Sequence, residues 1–292
     1  MASVPPLPPL LLSAKEAFEK ELLAFFPLPS ELNSWALYAL SPPAKRFRPL
    51  LLMATSLSYG APLEKSLSAA CALELIHTYS LIHDDLPCMD NDDIRRGKPS
   101  LHRAFSEWQA LLTGDYLLTL AFEILSKAPL PPADIVTLIR TFSTQAGKEG
   151  MIGGQVIDLL CVKQQISHNT LEEMHLKKTA SLLIVALVGG AIIGNAPLKD
   201  KELLTHIGEC TGLAYQLQDD LLDYTSTTEE LGKPVLSDAS KQKPTAVSLL
   251  GEEKTKEHIA SLKHKVFNDL SHLSCDASLL HSLLVLLFCR EK

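Results

Sequence analysis

Long apolar stretches broken by prolines and short polar clusters set the rhythm of this chain. Residues 67–85 are largely apolar over 71–82 and end against carboxylates, which predicts a helix. That helix stops near Asp85, because Pro87 disfavours a helical Leu86 and has no amide hydrogen for a further turn. Residues 181–194 are apolar and rich in small side chains, the pattern of a central helix buried among others. Residues 215–224, YQLQDDLLDY, set Leu217, Leu221 and Leu222 beside acidic residues and read as a core-packed helix. Charged and leucine-rich stretches alternate over 252–287, predicting two helices on the outside. Proline and glycine mark loops at 128–132 and 232–245. The start, MASVPPLPPLLLS, predicts a loose lead-in over 1–12 and a helix from Ser13, whose side chain caps it with Glu16.

Composition agrees with helices. Of 292 residues, 46% are apolar and only 6% aromatic, with leucine and alanine prominent. A formal net charge of −7 argues against a nucleic-acid partner, while leaving room for a local basic pocket that takes a small anion. The six cysteines form no CxxC pair, and several lie in apolar runs, as buried thiols of a reducing compartment do. The best candidate for a membrane span, residues 182–194, is too short and glycine-rich, so no integral membrane protein is expected. The N-terminus lacks the basic start of a signal peptide and the arginines of a transit peptide, and a cytoplasmic location is expected.

Three clusters carry candidate chemistry. In residues 81–97, LIHDDLPCMDNDDIRRG, the carboxylates Asp84, Asp85, Asp90, Asp92 and Asp93 crowd between apolar residues and the pair Arg95 and Arg96. Such crowding calls for a positive partner, and Mg²⁺ takes oxygen ligands of this kind together with substrate phosphates. Asp84 and Asp90 do not share a helical face, so they converge only if the chain folds back after the helix ends. Downstream, Asp219 and Asp223 line one face of a helix with Gln216 one turn earlier. Two acidic clusters on apolar helices point to a pocket with metal between facing walls. Residues 42–49, PPAKRFRP, hold Lys45, Arg46 and Arg48 between prolines in an extended or turning segment; they either clamp a diphosphate or are simply solvated.

DDLPCMD followed by RRG, and later DDLLD, resemble the two aspartate-rich motifs of the trans-prenyl diphosphate synthases, bacterial farnesyl and plant-type geranylgeranyl enzymes included. The resemblance implies a single domain over 1–292: an all-α bundle of ten or more helices around a central cavity, the isoprenoid synthase type I fold, usually homodimeric. It implies Mg²⁺ held by Asp84, Asp90 and Asp219, with Asp85 and Asp223 as outer, water-mediated partners. Arg95, Lys178, Lys233 and Lys243 fall where the family binds the allylic diphosphate, with Thr179 nearby, and Lys45, Arg48, His77 and Arg96 where it binds isopentenyl diphosphate; Gln216 is a further candidate for substrate binding. Gln155 and Asp158 would face the pocket. The family's glycines are replaced at Pro43, Ala44 and Leu236, so those loops follow their own path. Tyr79 and Ser80 stand where the family sets product length, and a bulky Tyr79 favours the fifteen-carbon farnesyl product. A geranylgeranyl synthase is the nearest alternative. A terpene cyclase would not need Lys45, Arg48 and His77, and a non-catalytic subunit tends to lose one aspartate motif.

Overall fold

The structure is a computed structural model and describes residues 6–41, 44–225 and 244–289. The described chain is helical apart from one two-stranded hairpin. Helix α1 (Pro9–Ala24) is followed by α2 (Glu31–Leu40), α3 (Phe47–Ser58) and α4 (Glu64–Asp84). Strands β1 (Ile94–Arg95) and β2 (Lys98–Pro99) lead to α5 (Leu101–Ala104), α6 (Glu107–Ser126), α7 (Pro132–Ala146) and α8 (Met151–Cys161). Helix α9 (His168–His175) continues through a π-helical turn (Leu176–Ala180) into α10 (Ser181–Ile193). Then come α11 (Leu198–Thr225), α12 (Ala246–Leu250), α13 (Glu252–Leu270) and α14 (Ser278–Phe288). The all-α expectation is met.

Helix α10 is apolar all the way round, so no face of it is stable in water. It lies buried between α3, α7 and α11, with α4 also in contact. With α9 and the π turn it forms a run of 26 residues, His168–Ile193, long and apolar enough to cross a bilayer, unlike the shorter segment read from sequence. Its apolar window is 72% buried inside the protein, which marks a core helix. Helix α4 packs on α6, α3 and α1, and α11 packs on α13 and α10. One continuous hydrophobic cluster joins helices from α1 through α14.

Several boundaries differ from the sequence reading. Helix α1 begins at Pro9 rather than Ser13. Proline is pre-set for the first helical turn, where no amide hydrogen is needed, and burial already starts at Leu11. Ser13 therefore lies inside the helix, its hydroxyl donating back to the Pro9 carbonyl at 3.3 Å. Pro49 sits in the first turn of α3 instead of an extended segment, for the same reason. Helix α14 is more than an outer layer: it packs on α3 and lends Leu283, Leu286 and Leu287 to an internal cavity.

Candidate functional site

The first acidic segment folds as Pro87 requires. Helix α4 ends at Asp84, and the chain turns back until the Asp90 amide donates to the Asp84 carbonyl at 2.9 Å. Asn91, in the left-handed region at φ 52°, completes the reversal. Asp84 and Asp90 are thereby brought together. The following RRG forms a tight hairpin, with Ile94 opposite Pro99 and Arg95 opposite Lys98. Its two turn residues, Arg96 and Gly97, have φ 53° and 80°, the left-handed pair that such a turn demands. This aims Arg95 and Arg96 apart. Arg95 Nη2 pairs with Asp85 Oδ1 at 2.5 Å and with Asp92 Oδ2 at 3.3 Å. Arg96 joins a separate cavity.

Asp84 is half-buried and accepts a hydrogen bond from Gln155 Nε2 on α8. Burial pushes its carboxyl up to about 6; Lys178 opposes the rise, while Asp90 and Asp158 add to it. One helical turn after Gln155, buried Asp158 pairs with Lys178 Nζ at 2.6 Å. The π turn separates the lysine pair: Lys177 turns outward to Glu173 at 2.9 Å, and Lys178 turns inward. Single π turns often mark functional sites because they re-aim side chains within a helix. The α8 backbone lies against this turn at Gly154, where a Cβ would come within 2.2 Å of the Lys178 backbone nitrogen.

Thr179 carries the network to the second acidic segment. Its hydroxyl donates to Gln216 Oε1 at 3.1 Å, and Gln216 Nε2 donates to Asp220 Oδ1 at 3.1 Å. Asp220 Oδ2 accepts from the Ala246 amide at 2.8 Å. Asp223 is buried and Asp219 half-buried. Three separate side-chain contacts, Gln155 to Asp84, Lys178 to Asp158 and Thr179 to Gln216, thus step by way of α8 and the π turn from Asp84 to the helix that bears Asp219. Asp220 was not singled out from sequence. Its spacing of four from Gln216 is the signal that marks it.

A second subsite is a cavity of about 900 Å³ lined by Lys45, Arg48, His77 and Arg96, with Arg46, Glu74, Tyr215, Leu183 and α14. All four residues read as one diphosphate clamp meet there. Arg48 Nη1 lies 3.5 Å from His77 Nε2. Burial, and then the charges of Arg48 and Arg96, hold the His77 imidazole well below its usual range, so it is neutral. Arg48 Nε is buried with no hydrogen-bond partner among the described residues, a donor left open to a ligand. Arg46 plays another part. It is buried, and it donates to Glu19 Oε1 at 2.8 Å, Glu74 Oε1 at 2.7 Å and the Leu40 carbonyl at 2.6 Å.

The Polyprenyl synthetase family matches residues 29–275 of this chain. The chain belongs to that family. Within it, the chain is one of the trans-prenyl diphosphate synthases. A farnesyl diphosphate synthase of Bacillus subtilis (strain 168) is 38% identical over 291 residues, covering 96% of this chain and 97% of the relative. A chloroplastic geranylgeranyl pyrophosphate synthase of Capsicum annuum is 44% identical over 236 residues, covering 80% of this chain and 64% of the relative. Among solved structures, a Helicobacter pylori geranyltransferase complexed with magnesium and isoprenyl diphosphate has a TM-score of 0.82 and 34% identity, covering 97% of this chain and 98% of that one.

In this synthase Tyr79 is buried, its hydroxyl has no hydrogen-bond partner among the described residues, and its ring meets His83 edge-on at 5.7 Å. Ser80 donates to the His77 carbonyl at 2.8 Å. Lys233 and Lys243 lie outside the described residues. No three carboxylate, imidazole or thiolate groups converge to metal-binding distance among the described residues. A hard ion that takes one or two carboxylates and fills its shell with water and phosphate still fits. The donors are oxygens, and Asp84, raised chiefly by burial and further by Asp90 and Asp158, is a carboxylate whose ionisation a divalent cation would favour. Sequence reasoning missed Glu74 and Tyr215, since nothing local to either marks it as part of the cavity.

Proposed function

We propose that this synthase makes farnesyl diphosphate by condensing isopentenyl diphosphate with dimethylallyl and then geranyl diphosphate. The observation that carries this reading is the adjoining of two subsites. Separate polar contacts step from one acidic segment to the other, and beside them a cationic cavity gathers Lys45, Arg48, His77 and Arg96.

Asp84, Asp90 and Asp219 are the residues that would hold Mg²⁺, with Asp85 and Asp223 behind them. When bound, the ion neutralises charge on the departing diphosphate. Lys178, oriented by Asp158, adds positive charge to the same allylic diphosphate, and Thr179 and Gln216 fix that lysine's turn against α11. Arg95 reaches the diphosphate by leaving Asp92 while it keeps Asp85. Lys45, Arg48, Arg96 and neutral His77 hold isopentenyl diphosphate so that its alkene meets the allylic cation as that cation forms. Leu183, Leu283 and Leu287 keep water from the cation. The released diphosphate takes the proton that the new chain loses.

Buried Tyr79 supports the fifteen-carbon product, because a phenol five residues before Asp84, beside Ser80, shortens the space along α4. The similarity to the Capsicum annuum geranylgeranyl enzyme favours a twenty-carbon product as the second reading. Exposed Ile152, Val156 and Leu160 form a stripe on α8, and Trp108, Leu111 and Leu112 lie exposed on α6, which supports a homodimer. Six free cysteines support a reducing compartment such as the cytoplasm.

Incubation of purified protein with labelled isopentenyl diphosphate and each allylic primer, with sizing of the products, tests the reading. Fifteen-carbon product from both primers is expected. Failure to extend any primer would refute it.

A further inference from the structure

Glu74 is the one acidic side chain that lines the cationic cavity among the described residues, and binding a diphosphate gives no obvious use for it. It is 2% exposed. Its Oε1 accepts from Arg46 Nη1 at 2.7 Å and lies 3.9 Å from Arg96 Nη2. Arg46 cannot drift, since Glu19 and the Leu40 carbonyl hold its other nitrogens. One carboxylate oxygen therefore sits between two arginines from distant parts of the chain. Both arginines occupy left-handed backbone, at φ 51° and 53°. Arg46 ends the loop that carries Lys45 and launches Arg48 into α3; Arg96 forms the turn of the hairpin after the first acidic loop.

Electrostatics give the carboxylate a task. Five cations among the described residues line this one cavity (Lys15, Lys45, Arg46, Arg48 and Arg96) and repel one another, and burial lowers the affinity of both Arg48 and Arg96 for their protons. Glu74 opposes that loss at both residues. It lies on α4 one turn before His77, so it is built on the element that also supplies the neutral member of the clamp.

We propose that Glu74 is a positioning residue for the isopentenyl diphosphate subsite: its carboxylate, fixed by Arg46, fastens the loop before α3 to the hairpin and sets Arg48 and Arg96 at the spacing of one diphosphate group. This rests on the function proposed above. It differs from a plain buried ion pair with Arg46, which would support the fold without favouring one substrate over the other.

The test is steady-state kinetics of Glu74→Gln and Glu74→Asp with both substrates varied. It is joined to calorimetric binding of isopentenyl diphosphate and of inorganic pyrophosphate, and to thermal melting. Glu74→Gln keeps the shape but loses the charge, and its KM for isopentenyl diphosphate rises by about tenfold or more. Its KM for the allylic substrate changes by less than about twofold, since each tenfold effect reflects about 1.4 kcal/mol at one subsite only. Glu74→Asp keeps the charge but withdraws it from Arg96, and shows the same one-sided rise to a smaller degree. It also serves should the glutamine variant not fold. Equal changes in both KM values, or a lower melting point with no change in either, overturn the assignment of Glu74. Failure of the unaltered protein to bind isopentenyl diphosphate overturns the functional reading itself and this inference with it.

Discussion

Replacing Asp84 by asparagine should stabilise the protein while destroying its activity. The Asp84 carboxyl is pushed from its ordinary 3.8 up to about 6, chiefly by burial. A group that holds its proton more tightly folded than unfolded favours the folded state at low pH, and that advantage is lost as pH rises from about 4 to about 6. Above that window the ionised carboxylate costs roughly 3 kcal/mol, because each tenfold change in proton affinity is worth about 1.4 kcal/mol. Asparagine removes the charge and can still accept the hydrogen bond from Gln155. With an unfolding entropy of about 2 cal/mol/K per residue, a chain of this length melts roughly 5 °C higher for that gain. Calorimetric melting of both proteins at pH 8 and pH 4 measures it. The variant is expected to melt higher at pH 8 and level with the parent at pH 4. Turnover should fall by at least about a hundredfold, as loss of charge stabilisation at a leaving group does. Magnesium with pyrophosphate should raise the melting point of the parent alone, because only it gains from binding. A variant that melts lower at pH 8, or a gap that persists at pH 4, would sink the account of Asp84.

Four further outcomes follow from the same geometry. Gly154→Ala forces a methyl within 2.2 Å of the Lys178 backbone nitrogen, so it should destabilise by roughly 1–3 kcal/mol in urea melts and raise the KM for the allylic substrate. Arg46→Met strands two carboxylates, one of them fully buried, and should cost roughly 3–5 kcal/mol, read from the same melts. His77 is already neutral above its lowered pKa, so His77→Gln should leave the pH dependence of isopentenyl diphosphate binding unchanged between pH 6 and 8, checked by calorimetry. Tyr79→Ala opens space along α4, and product sizing should show chains longer than those of the parent.

The site was legible in the sequence wherever one local rule decides it. Pro87 alone required the reversal that brings Asp90 to Asp84, and a spacing of three placed Gln155 and Asp158 on one face of α8. The resemblance, rather than the residues, separated Lys178 from Lys177; the physical cause is the π turn, which no side-chain pattern announces. Arg46 and Arg48 look alike in PPAKRFRP, yet only Arg46 meets Glu19 and Glu74, and that depends on how α1 and α4 pack. The hairpin escaped notice because Arg-Gly is an uncommon pair for a tight turn, although Gly97 supplies one of the two left-handed positions. Helix α1 was placed late because three nearby prolines read as disorder, when Pro9 is a favoured first residue.

The π turn carries one surplus residue compared with an ordinary helical turn. Cutting out a single residue within Leu176–Ala180 would leave an ordinary helical turn, with α10 held in its present phase. Helix α10, greasy on every side and close against the Leu52 carbonyl of α3 at Gly190, would keep its seat. Lys178 and Thr179 would not, since each needs one bearing to reach Asp158 and Gln216. A deletion of one residue is therefore a route to a folded, inert protein, and an engineer who wants the scaffold without the chemistry can begin there.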